Sequence, residues 1–243
     1  MDFRNESHAV TTRRMGSDEP ITAENLNKHI DRVFQDRYTC RAYDGGRTIS
    51  EADWKTIIHA AWRSPSSMGM EPWSFVRLKD PQLRKDLLPY VWGAQERCEA
   101  AAEWVLLLGR AADDVKPDSE YVHDLIVNVQ GFPEEKMPMR RKKIQEFIGD
   151  DAGTNWEPKI VEKWIQQQVY IALGNMMTVA SMLGIDSTPI EGFNKEQVTK
   201  FLVERGIVDP EHFRVACFAA FGYQRQPGKT KVRRPVDQVY REV

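Results

Sequence analysis

The 243-residue sequence predicts an α+β fold, and three observations carry that reading. Strand-like and helix-like segments intermix without the regular βαβ rhythm of a doubly wound parallel sheet. No G-x-G-x-x-G follows a strand, so a Rossmann dinucleotide site has no support. One long apolar helix near residue 170 dominates the pattern and asks for a central place.

The elements follow in order. Residues 1–20 carry no apolar signal-like run and are expected to form a mobile tail; residues 21–243 are read as one domain. A first helix is expected from Ala23 to Phe34. Ser50 caps a second over 51–63, with Asp53 at the capping-box position and Trp54, Ile57, Ile58 and Ala61 on one face. SPSSMGMEPWSF (64–75) ends that helix, and WSFVRLK (73–79) is a strand. Asp80-Pro81 opens a short helix, since proline suits the first helical position. Residues 91–103 look helical and lead into a strand at 104–109. Residues 110–156 hold Pro117, Pro133, Pro138, Gly149 and Gly153, and predict short helices over the core, a lid-like segment and not a second domain.

Helix 158–183 keeps Val161, Trp164, Ile165, Val169, Ala172, Leu173, Met176, Met177, Ala180 and Leu183 at helical spacing. At ~1.5 Å per residue it spans roughly 39 Å. Gln168 lies on or beside this apolar ladder, where a buried amide needs a partner. A strand at 186–190, a turn IEGF, a helix capped by Asn194 and a strand at 214–222 follow. Residues 223–243 form a polar, basic tail.

Composition narrows the function classes. With 41% hydrophobic and 29% charged residues, a packed core is expected over disorder. A net charge of −2 argues against a nucleic-acid partner. Cys40, Cys98 and Cys217 are far apart without a CxxC, which fits a reduced, cytoplasmic setting. The histidines are scattered, so no metal site is expected. No apolar run is long enough to span a bilayer.

Four stretches could carry chemistry. In DRYTCRAYD (36–44), Arg37 and Arg41 would share a face if the turn stays helical, with the Thr39 hydroxyl between them. Such a pair can clamp a phosphate or carboxylate; ion pairing with Asp36 and Asp44 is the alternative. In GKTKVRRP (228–235), an extended chain would point Lys229, Lys231 and Arg233 one way, which is either an anion strip or a solvated tail. The 64–75 stretch combines two hydroxyls, a bare glycine and two thioethers. TPIEGF (188–193) is a turn whose amides could face a ligand, or a plain strand-to-helix connection. Ser66 and Ser67 have no G-x-S-x-G elbow, so nucleophilic hydrolysis is not indicated.

In order and spacing these pieces resemble the FMN-dependent NAD(P)H nitroreductase family: RYTCRAYD, SPSSMGMEPWSF, QQQVYIALGNMMTVASMLGIDSTPIEGF and KVRRP, covering about residues 30–243. The resemblance implies a mostly antiparallel central sheet flanked by helices, a long central helix, and a C-terminal tail extending onto a partner subunit. It implies a homodimer with two FMN sites at the interface, NADPH or NADH as reductant, and a small aromatic or quinone substrate. Arg37, Tyr38, Thr39 and Arg41 match the first flavin motif, and Lys231 and Arg233 the pair that closes on the phosphate. Pro65, Ser66, Ser67 and Gly69 match a segment reaching the flavin from the other subunit. Gln168 matches a polar residue near the cofactor, and Gln95 falls near one that touches the ring. Pro189, Ile190, Glu191 and Gly192 match the strip under the isoalloxazine, where the backbone N–H at Glu191 faces flavin N5. No dedicated catalytic side chain is implied. Many members have Asn at Gly69, Gln at Glu71, and one branch has Lys at Cys98. The activity implied is ping-pong reduction of nitroaromatics, quinones or similar flat acceptors. Flavin or enone reduction on the same fold, and a flavin carrier or sensor without turnover, are the rival readings.

Overall fold

The computed structural model describes residues 22–95, 98–225 and 231–243. The expected N-terminal tail and Lys229 lie outside them. Four strands form one antiparallel sheet in the order β1-β2-β4-β3: β1 (Trp73–Arg77), β2 (Glu103–Arg110), β3 (Asp186–Ile190) and β4 (Phe213–Gly222). β2 and β4 occupy the middle, which explains why both read as near-continuous apolar runs.

Strand periodicity divides the core. Trp104, Leu106, Leu108, Phe218 and Ala220 face one layer, with Val91, Val198 and Leu202. Val105, Leu107, Cys217, Ala219 and Phe221 face the other, against α2 (Glu51–Trp62) and α6 (Pro158–Met182). Helix α6 buries Val161, Trp164, Ile165, Val169, Ala172, Leu173, Met176 and Ala180. Met177 and Leu183 of the expected ladder are only half-buried.

The local signals behave as their chemistry requires. The Ser50 hydroxyl accepts the Asp53 N–H at 3.0 Å and caps α2. The Asp80 carboxylate accepts from Gln82 N–H at 2.9 Å and starts α3 (Pro81–Leu87). Asn194 caps α7 (Lys195–Glu204) through the Gln197 N–H. The three cysteines are buried and form no disulfide.

Residues 110–156 form short pieces: α4 (Glu120–His123), α5 (Met137–Ile144), and wide π-type turns at Asp124–Val129 and Gln145–Asp151. They build a third apolar cluster in which Val122, Ile126, Ile144 and Ile148 pack on Met70, Trp164 and Ile165.

Two expectations need correction. The described residues of 91–102 form turns, not a regular helix, because Gly93 docks on Gly192 and Trp104 Nε1 ties back to Cys98 O. Helix α1 (Leu26–Asp36) ends before Arg37, so Arg37 and Arg41 do not share a helical face. Instead residues 37–44 run along the sheet edge. Thr39 bridges Ser187, Cys40 N–H donates to Ser187 O at 3.3 Å, and Asp44 N–H donates to Tyr223 O at 2.7 Å.

Tyr43 locks this edge. Its hydroxyl lies 2.9 Å from Thr188 Oγ1 and 3.0 Å from Ala220 O, while Thr188 Oγ1 donates to Cys40 O at 2.8 Å. Two hydroxyl protons serve three short contacts in a buried pocket, so losing one hydroxyl unbalances the set. Tyr43→Phe is expected to cost about 1–3 kcal/mol, read as a lower urea midpoint at unchanged m-value.

Candidate functional site

Arg37 stands at the C-cap of α1, half-buried. Lys231 and Arg233 return from the far end of the chain to the same place. With Phe34 and Val236 the three cations line one open cleft of about 740 Å³, to which Asp31 also contributes. The Lys231 ammonium donates to Phe34 O. Partial burial, then the neighbouring Arg37 and Arg233 charges, hold its pKa below the usual lysine value. Three cationic side chains lining one cleft could receive a phosphate or carboxylate. Tyr38 is half-buried, and Thr39 and Arg41 are exposed beside it.

The end of β3 forms a short strip. Pro189 and Ile190 are in the strand, and Glu191 and Gly192 turn away from it, with Phe193 N–H bonded to Glu191 O at 2.9 Å. The Glu191 carboxylate accepts from the Tyr170 hydroxyl of α6. Burial and this contact raise the Tyr170 pKa, so the phenol stays a donor. Burial likewise pushes the neighbouring Cys217 thiol up to about 12. A Cβ at Gly192 would lie 2.7 Å from the Trp92 ring, which would have to shift to admit it. Trp92 is 68% exposed over this strip. Gln95 sits in the same loop, but its amide donates to Leu88 O at 3.0 Å.

The 64–72 loop forms a second group. Met68 (φ 59°), Gly69 (φ 65°) and Glu71 (φ 44°) are left-handed, of which only glycine is relaxed there. Ser67 N–H donates to Gln168 Oε1 at 2.9 Å, which supplies the partner that a buried amide on α6 demands. The Ser66 hydroxyl accepts from Glu71 N–H at 2.9 Å. The Ser67 hydroxyl makes no hydrogen bond among the described residues and is half-exposed. Pro65 is exposed ahead of it. No hydrogen bond among the described residues joins this loop to 37–41 or to 189–192.

A polar chain runs from the sheet to this loop. The His212 ring lies 2.9 Å from Asp114 Oδ1, and Arg110 donates to Asp114 Oδ2 at 2.9 Å. The Arg110 guanidinium stacks 3.7 Å over Tyr121, whose hydroxyl reaches Met70 O and Glu71 O. Burial pushes the Tyr121 phenol up to about 12, so it stays protonated. Nothing local in the sequence marks Trp92, Gln130, Arg140 or Tyr170, because their partners lie tens of residues away.

Among known proteins, the family model described as "Nitroreductase family" matches residues 34–223. The chain belongs to the nitroreductase family. A Staphylococcus haemolyticus protein named "Putative NAD(P)H nitroreductase" is 38% identical over 214 residues, covering 88% of this chain and 97% of the relative. Among solved structures, a nitroreductase-type protein of Exiguobacterium sibiricum crystallised with FMN superposes with a TM-score of 0.69 at 18% identity, covering 88% of this chain and 97% of that one. An enone reductase of gut-bacterial fatty-acid saturation gives 0.68 at 18% identity, covering the same 88% and 97%. At such identities the superpositions speak for the nitroreductase fold. Among the described residues, no helix is long and apolar enough to cross a membrane, and no cluster of His, Cys, Asp and Glu could hold a metal.

The Asp114 hydrogen bond and charge raise the His212 pKa. A raised folded value adds stability that is fully present below the unfolded value of about 6.5 and lost as pH rises through the folded one. The melting-temperature gap between wild type and His212→Asn is therefore expected to be wider at about pH 5.5 than at about pH 9.

Proposed function

We propose that this chain is an FMN-dependent NAD(P)H oxidoreductase acting as a homodimer on nitroaromatics, quinones or similar flat acceptors. The observation that carries the reading is the cationic cleft built from both ends of the chain by Arg37, Lys231 and Arg233. It suits the FMN phosphate in charge and in donor type. The relatives' NAD(P)H nitroreductase names and the FMN in a neighbouring structure support the same assignment.

FMN, when bound, supplies two-electron redox chemistry that side chains lack. Arg37, Lys231 and Arg233 would hold its phosphate. Pro189, Ile190, Glu191 and Gly192 would line the ring with backbone groups, the Glu191 carboxylate being held by Tyr170. Arg41 would supply positive charge that favours the reduced cofactor. NADPH or NADH and the acceptor use one pocket in turn, which makes the kinetics ping-pong, and residues 110–156 choose the acceptor.

The loop carrying Pro65, Ser66, Ser67 and Gly69 serves the site of the partner subunit. Among the described residues no hydrogen bond joins it to the strip of its own chain, which supports that division. Self-association has its own support. Ile160, Ile171 and Met182 are exposed at eleven-residue spacing, which keeps them within about 40° on one face of α6. Leu26, Ile30 and Phe34 are exposed at four-residue spacing on α1. The tail 231–243 exposes Val232, Val236, Val239 and Tyr240, apolar groups that docking on a partner would cover.

The visible spectrum of the purified protein tests the reading. A flavin spectrum is expected to bleach with NADPH or NADH under anaerobic conditions and to return on adding a nitroaromatic or quinone. A bound flavin that neither cofactor bleaches would point to a carrier or sensor, and no uptake of added FMN would end the assignment. Arg233→Ala is expected to weaken FMN binding by about 10-fold or more, the scale of one charge-assisted hydrogen bond, measured by quenching of flavin fluorescence.

A further inference from the structure

Four consecutive carbonyl oxygens of the left-handed loop are held by side chains of one distant segment. Arg140 Nη2 donates to Met68 O at 2.8 Å, and Gln130 Nε2 to Gly69 O at 2.8 Å. The Tyr121 hydroxyl lies 2.9 Å from Met70 O and 2.8 Å from Glu71 O, sharing its one proton between them. All three donors belong to the 110–156 segment, and they lie fifty or more residues from the carbonyls they hold. The loop bends sharply enough that Met68 and Glu71 accept a φ disfavoured for residues with a Cβ. Such a conformation persists only where the surroundings over-determine it.

These bonds turn the four carbonyls toward the 110–156 segment. The N–H groups of Ser67, Gly69, Met70 and Glu71 are bonded within the chain, with Gln168 holding that of Ser67. The Ser67 hydroxyl remains unspent among the described residues and is the side-chain donor this loop leaves for an electron-rich ligand. Tyr121 is itself fixed, with the Arg110 guanidinium over its ring and Asp114 behind it.

We propose that Tyr121, Gln130 and Arg140 are positioning residues: they set the Ser67–Glu71 loop so that it offers the Ser67 hydroxyl to FMN, an inference that rests on the flavin reading above. The segment 110–156 thus acts on the cofactor through the loop, in addition to any contact with the acceptor.

The test uses the full chain with Tyr121→Phe, Gln130→Ala, Arg140→Met and the triple variant. Three quantities are read: FMN affinity by fluorescence quenching, the midpoint potential of the bound flavin, and the melting temperature without FMN. Each single change is expected to weaken FMN binding about 3- to 10-fold, the span of one lost hydrogen bond. The triple change is expected to weaken it more than any single one and to shift the potential. Gln130 is exposed, so Gln130→Ala removes the donor to Gly69 O with little risk to folding and carries the test if Tyr121→Phe fails to fold. Variants that melt lower without FMN but bind it with wild-type affinity and potential would overturn the proposal. Wild-type protein that takes up no FMN would overturn the flavin reading, and the proposal with it.

Discussion

Burial of α6 against the sheet is the constraint on which the rest of the structure depends. Its apolar ladder forces the helix into the core, and the few polar side chains carried down with it must then find partners. Three of them find partners in segments of the candidate site. Gln168 accepts from Ser67 N–H, Tyr170 donates to Glu191, and Asn175 donates to Ser64 Oγ at 2.8 Å. A single helix therefore sets the positions of the 64–72 loop and the end of β3 together. That is an economical way to hold two groups that share no direct hydrogen bond among the described residues.

The anion cleft depends on a different device, the joining of chain ends at a sheet edge. Residues 37–44 align along β3 and continue beside 223–225, tied by Asp44 N–H to Tyr223 O and by Arg225 N–H to Ala42 O at 2.9 Å. Tyr43 and Thr188 fasten the seam from inside. This seam is why Arg37 meets Lys231 and Arg233 across nearly two hundred residues of sequence. Burial first, and the nearby Arg37 and Arg233 charges second, depress the Lys231 pKa, so the grouping adds little to stability by itself.

The 64–72 loop is strained where the anion cleft is charged. Left-handed Met68 and Glu71 are each unfavourable alone, and the loop is held from two sides, by α6 and by the 110–156 segment. The segment that sequence composition marks as irregular is therefore well packed, with Val122, Ile126, Ile144 and Ile148 buried in its own cluster. Its π-type turns and short helices place Tyr121, Gln130 and Arg140 at one loop, a convergence that a longer regular helix would not allow.

Local chemistry is what the sequence by itself determined. Ser50, Asp80 and Asn194 cap their helices because each side-chain oxygen satisfies an N–H that the helix leaves open. The apolar run of β2 and the ladder of α6 were legible because burial on both faces of a strand, or along one helix face, fixes where apolar residues fall, and the four quoted motifs carried the family. The expectation of a helix over 91–103 failed because a close contact between Gly93 and Gly192, about a hundred residues away, overrides local propensity. The shared helical face for Arg37 and Arg41 failed because pairing with Ser187 draws the chain into an extended edge. Only tertiary structure decided the partner of Gln168, the meeting of Arg37 with Lys231 and Arg233, and the grip of Tyr121, Gln130 and Arg140 on four carbonyls. These are contacts between residues distant in sequence, and their geometry exists only once the sheet, α6 and the 110–156 segment have packed.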